Sequence, residues 1–329
     1  MADQYPNVIP IDPFKALNII LNPNGTLTRD FVRVLPSTIP NSDSNQSVVF
    51  TDIPLNPSKN TYVRVFRPAL LPSSHPKLPL IIFFHGGGFI LFSASSKMFH
   101  DFCVHMAFEL PALILSIEHR LCPEYRLPSA YEDALDAILW VKNHHALKGE
   151  YKFFEFVDFS KCFIMGMSSG ANITYQTGLE TTNLNLEPIK IIGLIMVQPF
   201  FGGVQRSDSE LRLANDKLIP IPVTDMMWEL ALPIGANRDH EYSNPLDERT
   251  HSKNMENIKK FPRCYVTGNF EDPLIDRQIK FVKMLEEDGV CVMKDFTNGY
   301  HACELFDPTK AQELVVGIKN FISSCSTTP

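Results

Sequence analysis

The chain has 329 residues, 44% hydrophobic and 20% charged, ordinary values for a soluble globular protein with room for one large α/β domain or two small ones. Its net charge of −7, with no cluster of Lys or Arg, excludes nucleic acid as an expected partner. No apolar run approaches the roughly 20 residues that span a bilayer, and the first residues lack the basic and apolar stretches of a signal peptide. The seven cysteines are scattered from Cys103 to Cys325 without a C-x-x-C pair and read as reduced thiols. Sequons occur at Asn24, Asn45 and Asn172, the last in a place where a glycan has no room, so chance matches and a cytoplasmic location are expected.

Residues 1–50 are polar and weakly periodic and read as a loosely docked extension. Within them Phe14 to Leu21 has the spacing of a short amphipathic helix, Asn22-Pro23-Asn24-Gly25-Thr26 is a turn signal, and Asn41 to Ser47 reads as an exposed loop. Tyr62 to Phe66 alternates as an antiparallel strand should. After a Pro-rich link, Leu80 to Phe84 is a fully apolar strand that runs into His85-Gly86-Gly87-Gly88-Phe89. Then come a helix over Met98 to Leu110, a strand over Ala112 to Ile117 and a helix over Ala130 to Val141. A short apolar run ends at Met165, followed by a helix through Asn172 to Leu179 and a strand at Ile189 to Val197. Phe200 to Arg238 breaks the rhythm, with helical segments near Ser209 to Asn215 and Thr224 to Leu232. The alternation resumes with strand Arg263 to Thr267, helix Leu274 to Glu287, strand Val290 to Phe296 and helix Thr309 to Ile322. Such alternation predicts an α/β fold, a mostly parallel sheet with helices on both faces.

The chemistry centres on Gly166-Met167-Ser168-Ser169-Gly170, which fits G-x-S-x-G between a strand and a helix, the nucleophile elbow of an α/β-hydrolase. Acyl transfer by serine needs a base, a group to orient it, and donors for the oxyanion. His301 follows the last strand in a Gly-containing loop, and Asp272 lies just past the strand before it, so Ser168, Asp272 and His301 run in hydrolase order. Gly86 and Gly87 can turn bare N–H groups toward the site, and Ser169 adds a third through its backbone. Ser169 competes with Ser168, but only Ser168 is centred between the two glycines. Glu271 and Asp276 compete with Asp272, which motif position favours. His85 reads as a brace for the glycine loop.

These stretches together resemble the hormone-sensitive-lipase-like carboxylesterases, in particular the plant carboxylesterase group. His85 to Phe89 and Gly166 to Gly170 match its two glycine motifs. Arg120-Leu121-Cys122-Pro123-Glu124-Tyr125-Arg126-Leu127-Pro128 matches its R-L-x-P-E-x-x-x-P stretch, and Ala130-Tyr131-Glu132-Asp133-Ala134 its A-Y-x-D-A. The resemblance extends from about Asn22 to the last helix. It implies one α/β-hydrolase domain over residues 1–329, with an eight-stranded, mostly parallel sheet. Residues 1–30 and 200–238 would form a helical cap. It also implies a cofactor-free enzyme acting on small hydrophobic esters. The family pattern around the serine is G-[DE]-S-A-G-G-N; here Met167, Ser169 and Ala171 depart from it, and Cys122 and Cys303 are further local differences.

His100 and His105 are five apart, off a common helical face, and no H-E-x-x-H occurs, so no metal site is expected. No Gly-Lys-Ser/Thr follows the glycine triplet, which removes a phosphate loop. Trp228 and Met226-Met227 read as cap core. Phe89 and Ile90, next to the oxyanion glycines, are expected to line the substrate pocket. Two other functions stay open from relatives of this family. One is a lyase, cyclase or decarboxylating esterase of plant specialised metabolism. The other is a non-catalytic hormone-binding receptor of the gibberellin type, whose members lack the catalytic histidine. The ester and the oligomeric state are not legible.

Overall fold

The computed structural model describes residues 8–29, 47–69, 77–145 and 151–326. Most of Asn41 to Ser47, the sequon at Asn45 and most of the Pro-rich link lie outside the described residues, as do 1–7 and 30 of the expected cap. The strands are β1 (Ile19–Leu21), β2 (Leu27–Arg29), β3 (Val48–Asn56), β4 (Thr61–Pro68), β5 (Leu78–Phe84), β6 (Leu113–Ile117), β7 (Val157–Met167), β8 (Ile191–Val197), β9 (Arg263–Asn269) and β10 (Val292–Thr297). β1 and β2 form a small antiparallel hairpin, and the others one eight-stranded sheet in the order β10-β9-β8-β7-β5-β6-β4-β3. β3 and β4 run antiparallel at one edge, and the other six strands are parallel.

The central strands are apolar throughout because both of their faces are covered. Their period of two sorts the side chains. Leu80, Ile82 and Phe84 of β5, Cys162 and Ile164 of β7, and Leu194 and Met196 of β8 enter one core. Ile81 and Phe83, Phe163 and Met165, and Ile195 and Val197 enter the other. The first core is closed by α3 (Ser129–His144), α4 (Ser169–Thr181) and α8 (Ile275–Glu287), the second by α2 (Lys97–Glu109) and α9 (Pro308–Ser326). Arg64 on β4 also points inward, and its guanidinium forks onto the Asp52 carboxylate of β3 with two bonds of 2.7 Å.

Three elements differ from the sequence reading. Only α1 (Pro13–Ala16) of the expected N-terminal helix forms; Asp12 caps it, and Asn18, at φ 53°, turns the chain into β1. β3 begins at the end of the stretch read as an extension and continues through residues assigned no element: it is an edge strand whose side chains are mostly part-exposed, and Pro54 and Asp52 disguise it. α7 (Glu248–Ile258) turns an inward stripe of Thr250, Asn254 and Ile258, too polar to stand out as a periodic face. Between β8 and β9 the chain also forms α5 (Asp208–Arg212) and α6 (Ile221–Ala231).

From β5 the chain crosses by α2 to β6 on one side, then by α3 to β7 on the other. That reversal opens a crevice at the carboxyl ends of β5 and β7, where α/β sheets place their ligands. The glycine triplet leaves β5 and Ser168 leaves β7 at this crevice.

Candidate active site

Ser168 is the single residue between β7 and α4 and has φ 54° and ψ −119°, a strained conformation for a residue with a side chain. The turn is tight enough to need both flanking glycines. A Cβ on Gly166 would lie 2.0 Å from the Gly170 carbonyl oxygen, and one on Gly170 would lie 2.1 Å from that of Phe84. Behind the elbow Asn172 is fully buried; it accepts from the Tyr131 hydroxyl at 2.8 Å and donates to the carbonyls of Phe200 and Tyr242. A glycan on that side chain is impossible.

The structure brings Ser168, His301 and Asp272 together. His301 Nε2 lies 2.9 Å from Ser168 Oγ, and its Nδ1 lies 2.8 Å from Asp272 Oδ2. With Nδ1–H donating to the carboxylate, Nε2 is left to accept the serine proton. Asp272 is fully buried, and its carboxylate also accepts from the Leu274 N–H at 2.8 Å and the Gln278 amide at 3.1 Å. Burial opposes a charge on His301, but the Asp272 carboxylate outweighs it, so the imidazole is held above its ordinary range. The competing carboxylates lie elsewhere. Asp276 accepts from the Ser209 N–H at 2.7 Å, tying α5 to α8, and Glu271 is exposed.

Gly86 and Gly87 line the same cavity as Ser168, and a Cβ on Gly86 would come within 3.2 Å of the Ser168 Cβ. Ser169 is buried and begins α4, so its N–H is one of the helix's orphan donors, while its Oγ has no partner among the described residues. His85 is fully buried with Nδ1 2.8 Å from the Gly86 carbonyl, and its ring stacks on His119 at 4.3 Å. Burial, followed by the neighbouring His119, pushes its pKa well below the usual value, so it is a neutral brace.

The cavity over Ser168 measures about 160 Å³. Leu17, Phe92, Phe99, Ile219, Met227 and Leu305 supply apolar wall around it. Phe89 and Ile90 are not in its wall; both are fully buried. Positive φ at Gly87, Gly88 and Phe89 rolls the chain over, so Phe89 packs against Trp228, Phe200 and Tyr131, and Leu91 and Phe92 return to the cavity. Trp228 is core, stacked on Phe200 at 4.6 Å, whereas Met227 reaches the cavity and covers Gly88. Among the described residues no group of three or more His, Cys, Asp or Glu could hold a metal, and no helix is long and apolar enough to cross a membrane.

Sequence reasoning missed Gln198 and Glu304. Gln198, just past β8, accepts from the Ala302 N–H at 2.5 Å and donates to Glu304 at 2.6 Å. No local pattern marks either, because their partners come from distant segments.

A family model described as the alpha/beta hydrolase fold matches residues 81–305. Probable carboxylesterase 8 of Arabidopsis thaliana is 47% identical over 323 residues, covering 96% of this chain and 95% of its own. The 3-O-acetylpapaveroxine carboxylesterase CXE1 of Papaver somniferum is 46% identical, covering 94% of this chain and 97% of its own. Among solved structures, a hyperthermophilic esterase from the archaeon Pyrobaculum calidifontis superposes with a TM-score of 0.69 at 22% identity, over 91% of this chain and 88% of its own. That likeness shows the fold, and the plant relatives show the family. The chain belongs to the plant carboxylesterases, serine ester hydrolases of the hormone-sensitive-lipase-like α/β-hydrolase family.

Proposed function

We propose that this carboxylesterase hydrolyses small, uncharged hydrophobic esters through an acyl-enzyme on Ser168. His301 takes the serine proton and returns it to the leaving alcohol, Asp272 fixes the imidazole, and the N–H groups of Gly86, Gly87 and Ser169 receive the oxyanion. The observation that carries this reading is the unbroken chain of hydrogen bonds from Ser168 through His301 to Asp272, opening on an apolar cavity beside Gly86. The N-terminal residues up to 30 and residues 200–238 act as the cap, a reading supported by Leu17, Ile219 and Met227 lining the cavity from these segments. The Papaver somniferum relative is named for an O-acetyl compound, which supports placing acetyl esters first among substrates to try.

The test is a pre-steady-state run with nitrophenyl acetate and butyrate. A burst close to one alcohol per active site is expected, with the acyl group found by mass spectrometry on the peptide containing Ser168. Slow acylation hides a burst, so steady turnover lost in Ser168→Ala is the minimum result. A hormone-binding role leaves the Ser168–His301 contact without a task, whereas acyl transfer uses each of these groups. No ester turned over, with a natural substrate eliminated at full rate by Ser168→Ala, moves the protein to the lyase class.

A further inference from the structure

The loop that carries His301 is gripped from both sides by side chains that the triad does not include. Gln198 is 2% exposed and sits at φ 46°, a left-handed conformation that aims its amide across the carboxyl end of the sheet. Its Oε1 holds the N–H of Ala302, the residue after His301, and its Nε2 holds Glu304 Oε1. Asn269, at the end of β9 and also 2% exposed, donates to the Tyr300 carbonyl at 3.1 Å, the residue before His301. The same amide lies 3.3 Å from Glu304 Oε1. Glu304 is 8% exposed; its Oε1 gathers both amides, and its Oε2 is buried with no partner among the described residues. No hydrogen bond joins it to His301 among the described residues, yet the two feel each other electrostatically.

We propose that Gln198 and Glu304 are positioning residues for His301. Gln198 clamps the backbone beside the imidazole, and the Glu304 carboxylate, held by Gln198 and Asn269, supplies a second negative charge as His301 takes the Ser168 proton. The inference rests on the serine mechanism proposed above. Burial raises the Glu304 carboxyl above its ordinary range, while the hydrogen bonds from Gln198 and Asn269 and a positive charge on His301 oppose that rise, so the carboxylate form is favoured as the imidazole becomes a cation. The groups that bear on this pair are Asp272 past β9, Asp216 from the segment between β8 and β9, Tyr265 on β9 and Cys303, whose thiol in turn faces Lys310 on α9. Burial, then Glu304, pushes the Cys303 thiol up to about 12, and burial likewise pushes the Tyr265 phenol up, so both are neutral at working pH.

Glu304→Gln keeps the shape and the acceptor for Gln198 but removes the charge. The acid limb of its kcat/KM profile on nitrophenyl acetate is expected about half a pH unit or more below that of the wild type, because His301 loses a carboxylate that favours its protonation. Gln198→Met, of similar length, removes both bonds, and kcat is expected to fall roughly tenfold to a hundredfold with KM little changed. An acid limb that stays in place in Glu304→Gln overturns the electrostatic role. A wild-type kcat in a folded Gln198→Met overturns the clamp, and if that variant does not fold the Glu304→Gln profile decides alone. Either result alongside a dead Ser168→Ala leaves the hydrolase mechanism standing, whereas an active Ser168→Ala removes the basis of both.

Discussion

Ser168 and Ser169 are neighbours in sequence with opposite surroundings: one Oγ meets His301 and the other is buried with no partner among the described residues. Ser168→Ala is therefore expected to cost on the order of 10⁶ in kcat, and Ser169→Ala to leave most activity, since only its backbone is used. A reversal of these two outcomes sinks the assignment. Asp272→Asn forces the wrong tautomer on His301 and is expected to cost on the order of 10⁴ in turnover, while Asp276→Asn loosens the Ser209 contact and costs far less. Equal losses would leave the orienting acid unidentified. The reaction needs neutral His301, and its folded pKa is raised, so activity should rise with pH through a midpoint above the ordinary 6.5. A profile flat from pH 5 to 8 counts against this base. The order of Ser168, Asp272 and His301 was legible because each lies past a segment that reads as a strand, although the one before His301 carries Lys294 and Asp295. Phe89 and Ile90 were misplaced because the left-handed turn at Gly88 and Phe89 leaves no trace in an apolar sequence.

At the scale of elements, the segment between β8 and β9 is held down by buried charge. Arg277 on α8 reaches Glu210 on α5 at 2.7 Å and also donates to the carbonyls of Gly202 and Gln205. Arg206 meets Glu210 and Asp225, and Arg238 meets Asp225 as well. Arg277→Met would strand part of the Glu210 charge in the interior and is expected to cost about 3 kcal/mol, read as a lower urea midpoint. An unchanged midpoint would show that Arg206 suffices. Burial opposes ionisation of Glu210, but Arg277 and the Ser207 N–H overcome it and depress its pKa. Its stabilisation is thus complete above the ordinary carboxyl value of 4.5 and is lost as pH falls through the depressed one. The central strands and long helices were readable from their periods. β3 and α7 were not, since an edge strand needs no apolar face and α7 buries Thr250 and Asn254 instead of leucines.

Across the whole molecule, the N-terminal part is tied to the body by more than proximity. Arg29 donates to the carbonyls of Ile90 and Cys122 and pairs with Glu124, which also accepts the Leu27 N–H. Leu17 then reaches the cavity wall. Removing residues 1–30 is expected to lower activity on bulky esters more than on acetate by opening that wall. Unchanged kinetics across an ester series would make the N-terminus a mere extension.

The groups proposed to react hang from the ends of β5, β7 and β9 and from the loop after β10, whereas Leu17, Ile219 and Met227 arrive on segments outside the sheet. On the proposed mechanism, substrate preference and chemical competence sit on separable segments. Exchanging residues 200–238 with those of a relative should carry that relative's ester preference across, while the acid limb set by Asp272 and Glu304 stays with the recipient.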